Sequence, residues 1–130
     1  MKKTICSVLG FLFFLTIVSN LALAAEGLEK KQTRIEKLYE KISKVNTGKK
    51  SEVMEEIIII SDELVEKYPD QPEAYWEAAS NYSNYPDYVE LDEPIEIFKQ
   101  GKEYAQKSIE LTPKAGRGYF WEAVFIGQLA

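Results

Sequence analysis

The amino-acid sequence predicts an all-α chain of antiparallel helix pairs, stacked as a short helical-repeat solenoid of about five helices behind a leader. Three observations carry this. A phrase occurs twice: Tyr68-Pro69-Asp70-Gln71-Pro72-Glu73-Ala74-Tyr75-Trp76-Glu77-Ala78, and Thr112-Pro113-Lys114-Ala115-Gly116-Arg117-Gly118-Tyr119-Phe120-Trp121-Glu122-Ala123. In each copy a proline ends one helix and an aromatic-Trp-Glu-Ala run opens the next, and self-similarity at such a period marks repeat architectures. Apolar residues recur at three- and four-residue spacing through most of the chain, the period of a helix with one buried face. Turn residues (Asn46-Thr47-Gly48, Pro69, Pro86, Pro113) fall between those periodic segments. Trp76 and Trp121 are 45 positions apart and the two prolines 44, so the second turn is expected to be one residue longer.

The leader comes first. Lys2 and Lys3 precede an uncharged stretch from Thr4 to Ala25 whose core, Val8 to Val18, is apolar. Ala22-Leu23-Ala24 supplies a small-x-small exit, and the three parts together describe a secretory signal peptide over residues 1–25, cleaved after Ala24 or Ala25. The alternative is an uncleaved anchor, since the uncharged run is about as long as a membrane span. Cys6 lies inside the apolar core rather than at its end, which does not fit a lipid acceptor. The remaining domain, residues 26–130, then has no cysteine and no histidine. Its stability must come from packing rather than disulfides.

Helix by helix, Leu28, Ile35, Leu38, Tyr39, Ile42 and Val45 predict a first helix over 27–45, with Asn46-Thr47-Gly48 as its stop. Val53, Ile57, Ile60, Leu64 and Tyr68 predict a second over about 52–67 capped by Ser51, and their spacing overrules the strand preference of Ile57-Ile58-Ile59-Ile60. Asp70, Pro72 and Glu73 start a third over about 71–83. Residues 84–93 break the period and form a loop. Asp92 is expected to cap a fourth helix carrying Ile95, Phe98, Gly101, Ala105, Ile109 and Leu111. A fifth starts near Ala115 and carries Tyr119, Phe120, Val124, Phe125, Ile126 and Leu129, with no cap before Ala130.

Charge excludes one class of partner. Without Lys2 and Lys3 the 16 basic residues become 14, against 21 acidic. Residues 26–50 hold eight Lys/Arg and four Glu; residues 51–130 hold six basic and seventeen acidic. An acidic body does not bind nucleic acid, which needs a basic face. The basic first helix is an ordinary solvated face, or a surface for anionic lipid or an acidic neighbour.

From Pro69 onward the chain resembles the tetratricopeptide repeat (TPR). Ala74, Tyr75, Ala78, Ala79 and Tyr82 sit where the first repeat helix alternates small and aromatic residues. Gly101, Ala105, Ser108 and Leu111 match the second-helix pattern, with small residues that allow close packing. The usual period is about 34 residues, and the surplus here is the 84–93 insertion. Residues 27–67 read as a degenerate preceding repeat, with Ile57, Ser61, Leu64 and Pro69 in register. The leader, the insertion and the final Tyr-Phe-Trp-Glu-Ala-Val-Phe-Ile-Gly-Gln-Leu-Ala resemble the TatT family, periplasmic repeat components of some TRAP transporters. This resemblance implies a periplasmic, non-enzymatic scaffold whose protein partner is a transporter's solute-binding subunit. That family continues through further repeats, which implies that this chain is incomplete at its C-terminus.

Candidate site residues follow from the aromatic set. A stacked repeat array has a concave face built from its first helices. Tyr75, Tyr82 and Trp121 are expected to line it, with Tyr85 and Tyr88 at the loop forming one rim. The plainer reading, strongest for Trp76 and Trp121, is packing between helices. An aromatic-lined pocket would also suit an apolar small molecule, which gives an alternative function as a direct carrier; a third reading is an incomplete chain with no independent role. No catalytic residue is expected: there is no imidazole or mature thiolate, and Glu73 and Glu77 read as solvated neighbours. No cofactor is implied. The acidic run Asp87, Glu90, Asp92 and Glu93 lacks the spacing of a calcium loop, so no metal site is expected.

Overall fold

The computed structural model describes residues 23–130; residues 1–22, which hold most of the expected signal segment, lie outside the described residues. Five α-helices, one 3-10 turn and no strand make up the described part: α1 over residues 23–42, α2 Thr47–Lys67, α3 Pro72–Asn84, a 3-10 turn Tyr85–Asp87, α4 Ile95–Leu111 and α5 Gly116–Leu129. No helix among them is long and apolar enough to cross a membrane.

The apolar spacing finds its core. Leu28, Ile35, Leu38 and Ile42 of α1 are buried, as are Val53, Ile57, Ile60 and Leu64 of α2 and Tyr68 after it. The isoleucine run is helical, as its neighbours dictate, but not buried all round: Ile59 faces solvent. Lys31 of α1 pairs with Glu63 of α2, and Arg34 with Glu56 at 2.7 Å. The basic first helix thus lays part of its charge on the acidic second one. Ion pairs this exposed add little, so the apolar stripe supplies most of the adhesion.

Several boundaries differ from the sequence expectation. Asn46-Thr47-Gly48 starts a helix instead of stopping one. The Asn46 side chain accepts a hydrogen bond from the Lys49 N–H at 3.3 Å, so Asn46 is the cap of α2 and Ser51 lies inside it, donating back to the Gly48 carbonyl at 3.1 Å. Asn stops a helix only when the backbone turns left-handed, and among the described residues none has positive φ. Asp70 does not cap α3; Gln71 precedes it without a side-chain cap, and Pro72 takes the first position, where a missing N–H costs nothing. Asp92 does not cap α4 either. The Pro94 carbonyl accepts from Phe98 N–H at 3.0 Å and the helix begins at Ile95.

The two copies of the phrase also differ from expectation. Their turns are equal in length. Tyr68 N–H reaches the Leu64 carbonyl at 2.9 Å and Gln71 N–H the Tyr68 carbonyl at 3.1 Å; Thr112 to Ser108 and Ala115 to Thr112, each at 3.0 Å, repeat this 44 positions later. The extra residue sits inside α5, not in the turn. In space, Ala74 therefore corresponds to Gly118, Trp76 to Phe120, Glu77 to Trp121 and Asn81 to Phe125.

Small residues set the spacing of α4 and α5. A Cβ on Gly101 would overlap the Phe125 ring, and one on Gly118 would lie 2.7 Å from Cγ1 of Ile109. Ala105 and Ser108, also buried, continue that stripe. The helices run antiparallel: Gly101 meets Phe125, Gln106 bonds Glu122 at 3.0 Å and Ile109 meets Gly118, so the contacts climb one helix as they descend the other. α3 packs on α2, α4 and α5. Contacts also join every second helix: Tyr39 of α1 donates to Asn81 of α3 at 2.9 Å, and Tyr104 of α4 to Asp62 of α2 at 2.9 Å. The buried residues form two clusters, one among α1, α2 and the start of α3, the other between the rest of α3, α4 and α5.

Candidate functional site

The predicted site residues separate. Tyr75 and Tyr82 are buried, turned towards α4, where both meet Tyr104. The Tyr82 hydroxyl donates to both Asp62 carboxylate oxygens, at 2.9 and 3.1 Å, and Tyr104 donates to one of them. Burial raises both phenols well above the ordinary tyrosine range, and the Asp62 carboxylate accepting their protons adds to it. This carboxylate clamp ties α2, α3 and α4 together. Tyr85 and Tyr88 are half-buried and fold back on the first cluster. The Tyr88 and Val89 N–H groups both close on the Tyr85 carbonyl at 3.1 Å, which holds the start of the loop against the core. Burial also raises the Tyr85 phenol, with the Glu55 carboxylate adding to it.

Trp121 stands elsewhere, half-buried on a groove between α3 and α5. Trp76, Glu77 and Ser80 line one wall, Arg117, Phe120 and Trp121 the other, around a volume of about 240 Å³. Helical spacing places them: Trp76 and Ser80 are four apart on α3, Arg117 and Trp121 four apart on α5, so each pair shares a face. The Arg117 guanidinium lies 5.1 Å from the centroid of the Trp76 ring, a cation–π distance. Phe120 and Trp121 meet edge to face at 4.9 Å and 77°. Burial pushes the Glu77 carboxyl above the usual carboxylate range, the nearby Glu36 adds to this and Arg117 opposes it.

The groove therefore offers three aromatic surfaces, one partly desolvated carboxylate and one hydroxyl. The sequence expectation includes Trp121 in the site but not Arg117 or Ser80, and has Glu77 as a solvated neighbour of Glu73. The available signal was the i,i+4 spacing from Arg117 to Trp121. A second, broader depression of about 730 Å³ lies on the 86–94 loop, lined by Pro86, Val89, Glu90, Leu91, Asp92 and Pro94. Among the described residues no three His, Cys, Asp or Glu side chains are grouped to hold a metal. No family profile, curated protein or solved structure matches this chain.

Proposed function

We propose that the chain is an exported, non-enzymatic scaffold of TPR-like helix pairs that binds a protein partner in the groove between α3 and α5, as a periplasmic component of the TatT type does in a TRAP system. One observation carries this reading: α3 and α5, the helices opened by the repeated phrase, lie side by side and present Trp76, Phe120 and Trp121 to a shared opening. Aromatic side chains on a rigid helical frame are the residues that dominate protein interfaces. The groove volume lies below the roughly 300–1,000 Å³ of small-molecule pockets, which favours side chains of a partner over a carried ligand.

The test is in-cell photocrosslinking from p-benzoylphenylalanine placed at Phe120, with the exposed Ile59 of α2 as the control position. A single adduct from position 120, containing a solute-binding subunit and absent from position 59, is the expected result. Equal adducts from both positions, or none from position 120, would sink the reading.

A further inference from the structure

We infer that the groove receives a cationic side chain, the lysine or arginine of a basic segment of the partner protein, seated against Phe120 and Trp121 and paired with Glu77. This rests on the reading of the groove as the partner site and names the chemistry of its occupant.

Four observations converge. First, a cation already occupies one of the aromatic faces: Arg117 sits over Trp76 at 5.1 Å. Aromatic faces attract cations through the ring quadrupole, more strongly where water is partly excluded. Second, Glu77 makes no side-chain hydrogen bond or ion pair among the described residues, although it lines the groove beside those rings. Arg117 acts on it through charge alone, with no hydrogen bond, while it stacks on Trp76. A half-buried carboxylate without a partner bears a desolvation cost that an incoming ammonium or guanidinium relieves. Third, the charge around the groove is negative. Glu77 and the nearby Glu36 of α1 set two carboxylates against the Arg117 guanidinium, and residues 51–130, which hold α3 and α5, carry seventeen acidic and six basic residues. An anionic segment is repelled there, and a basic one is steered in. Fourth, the opening holds about 240 Å³. That suits one long side chain of an extended segment lying across the groove, and it does not enclose a free small cation.

Arg117 has a definite part in this. As the resident cation over Trp76 it competes with the incoming one for the negative charge of Glu77. Its removal strengthens binding, whereas loss of Glu77 weakens it.

The chain has two tryptophans, Trp76 and Trp121, and both line the groove. Their fluorescence reports occupancy without a label. The experiment titrates the protein with three acetylated, amidated peptides of equal length, built on Leu-Lys-Ala, Leu-Gln-Ala and Leu-Glu-Ala repeats, and with butylammonium chloride. The Lys peptide is expected to bind at least about tenfold more tightly than the Gln peptide, and to lose that advantage in high salt as the charges are screened. Glu77→Gln abolishes the preference and Arg117→Ala increases it several-fold. Glu36→Gln, at the second carboxylate, lowers it less. Circular dichroism of each variant separates loss of the site from loss of the helices.

Equal binding of the Lys and Gln peptides, or tighter binding of the Glu peptide, would overturn the cationic occupant and leave the groove standing as an interface. Butylammonium binding as tightly as the Lys peptide overturns the peptide segment as ligand. A fluorescence signal unmoved by every peptide overturns the groove reading itself.

Discussion

The α2–α3 contact and the α4–α5 contact each flank one of two turns that lie 44 positions apart, and they are filled by opposite chemistry. In the first, Asn81 of α3 is buried and donates to Ser61 of α2 at 2.8 Å, while Ser61 donates to the Ile57 carbonyl at 2.8 Å and Asn81 accepts from Tyr39 at 2.9 Å. In the second, 44 positions on, Phe125 replaces Asn81, Gly101 replaces Ile57 and Ala105 replaces Ser61. A ring seated on a glycine replaces a chain of hydrogen bonds. The two solutions differ in kind. A polar chain holds one register by direction, because a shifted bond is a lost bond. A ring on a glycine holds it by volume, because only that residue leaves room.

The two copies differ again on the opposite face. Tyr75 and Tyr82 of α3 are 8% and 6% exposed beneath α4; their counterparts Tyr119 and Ile126 of α5 are 48% and 53% exposed. α3 is gripped from both sides. α5 rests on α4 and the edge of α3, and its buried residues are Gly118 and Phe125.

This contrast can be broken at its strongest point first. Phe125→Ala removes the one large anchor of α5 and is expected to cost about 3–5 kcal/mol in denaturant unfolding. Trp121 should become exposed before α3 is lost, giving a red-shifted emission at low denaturant. Retention of a single transition of unchanged midpoint would show that α5 is held by something else. Next comes a matched pair. Ala79→Leu on the gripped face should cost about 1–3 kcal/mol by overpacking, while Ala123→Leu at the equivalent exposed position should stay within about 0.5 kcal/mol. Equal effects would mean that the two faces are equally covered.

Asn81→Ala is expected to cost about 1 kcal/mol, since the O–H of half-buried Tyr39 loses its acceptor while its oxygen still accepts from Asn84 at 3.3 Å. In a double-mutant cycle it should be non-additive with Ser61→Ala, whereas Asn81→Ala with Ala105→Gly should add. The smallest effect is invisible at neutral pH. Tyr82 and Tyr104 have phenol pKa values raised above 10.0 in the folded chain, by burial first and by Asp62 second. A group with a raised folded pKa contributes stability that is complete below its unfolded value and lost as pH rises beyond it. The contribution of these two phenols to the unfolding free energy should therefore be constant up to about pH 9 and fall above about pH 10, with Tyr39 and Tyr85, also raised by burial, adding to the fall. Asp62→Asn should blunt that fall in a series of urea melts.

Much of the fold was legible because helix period is a one-dimensional signal. The spacing of Val53, Ile57, Ile60, Leu64 and Tyr68 named a buried stripe, and every one of those residues is buried. The small residues Gly101, Ala105 and Ser108 marked a close contact, which Phe125 fills over Gly101 and Gly118 fills beside Ala105. Helix starts were less legible. Asn46, Asp70 and Asp92 have the chemistry of caps or stops, and which role each takes depends on the backbone angle of its neighbours, which one residue type does not specify. The candidate site was half legible. Trp121 is in the groove, but Tyr75 and Tyr82, equally aromatic, are turned into the contact with α4. Aromatic residues suit cores and interfaces alike, and only the position of the next helix separates the two uses.

The sequence by itself determined that the described chain is helical, where its apolar stripes run and which positions are small enough for close approach. These are properties of neighbours along the chain, written in a period of about 3.6 residues. Tertiary structure alone decided that the two turns are equal in length, so that α5 is offset from α3 by 44 residues and not 45, and Trp121 stands where α3 carries Glu77. One residue gained inside a helix turns every later side chain by about 100°. The repeated letters cannot show that rotation, because an aromatic-Trp-Glu-Ala phrase reads the same on either face until a neighbouring helix fixes which side is in.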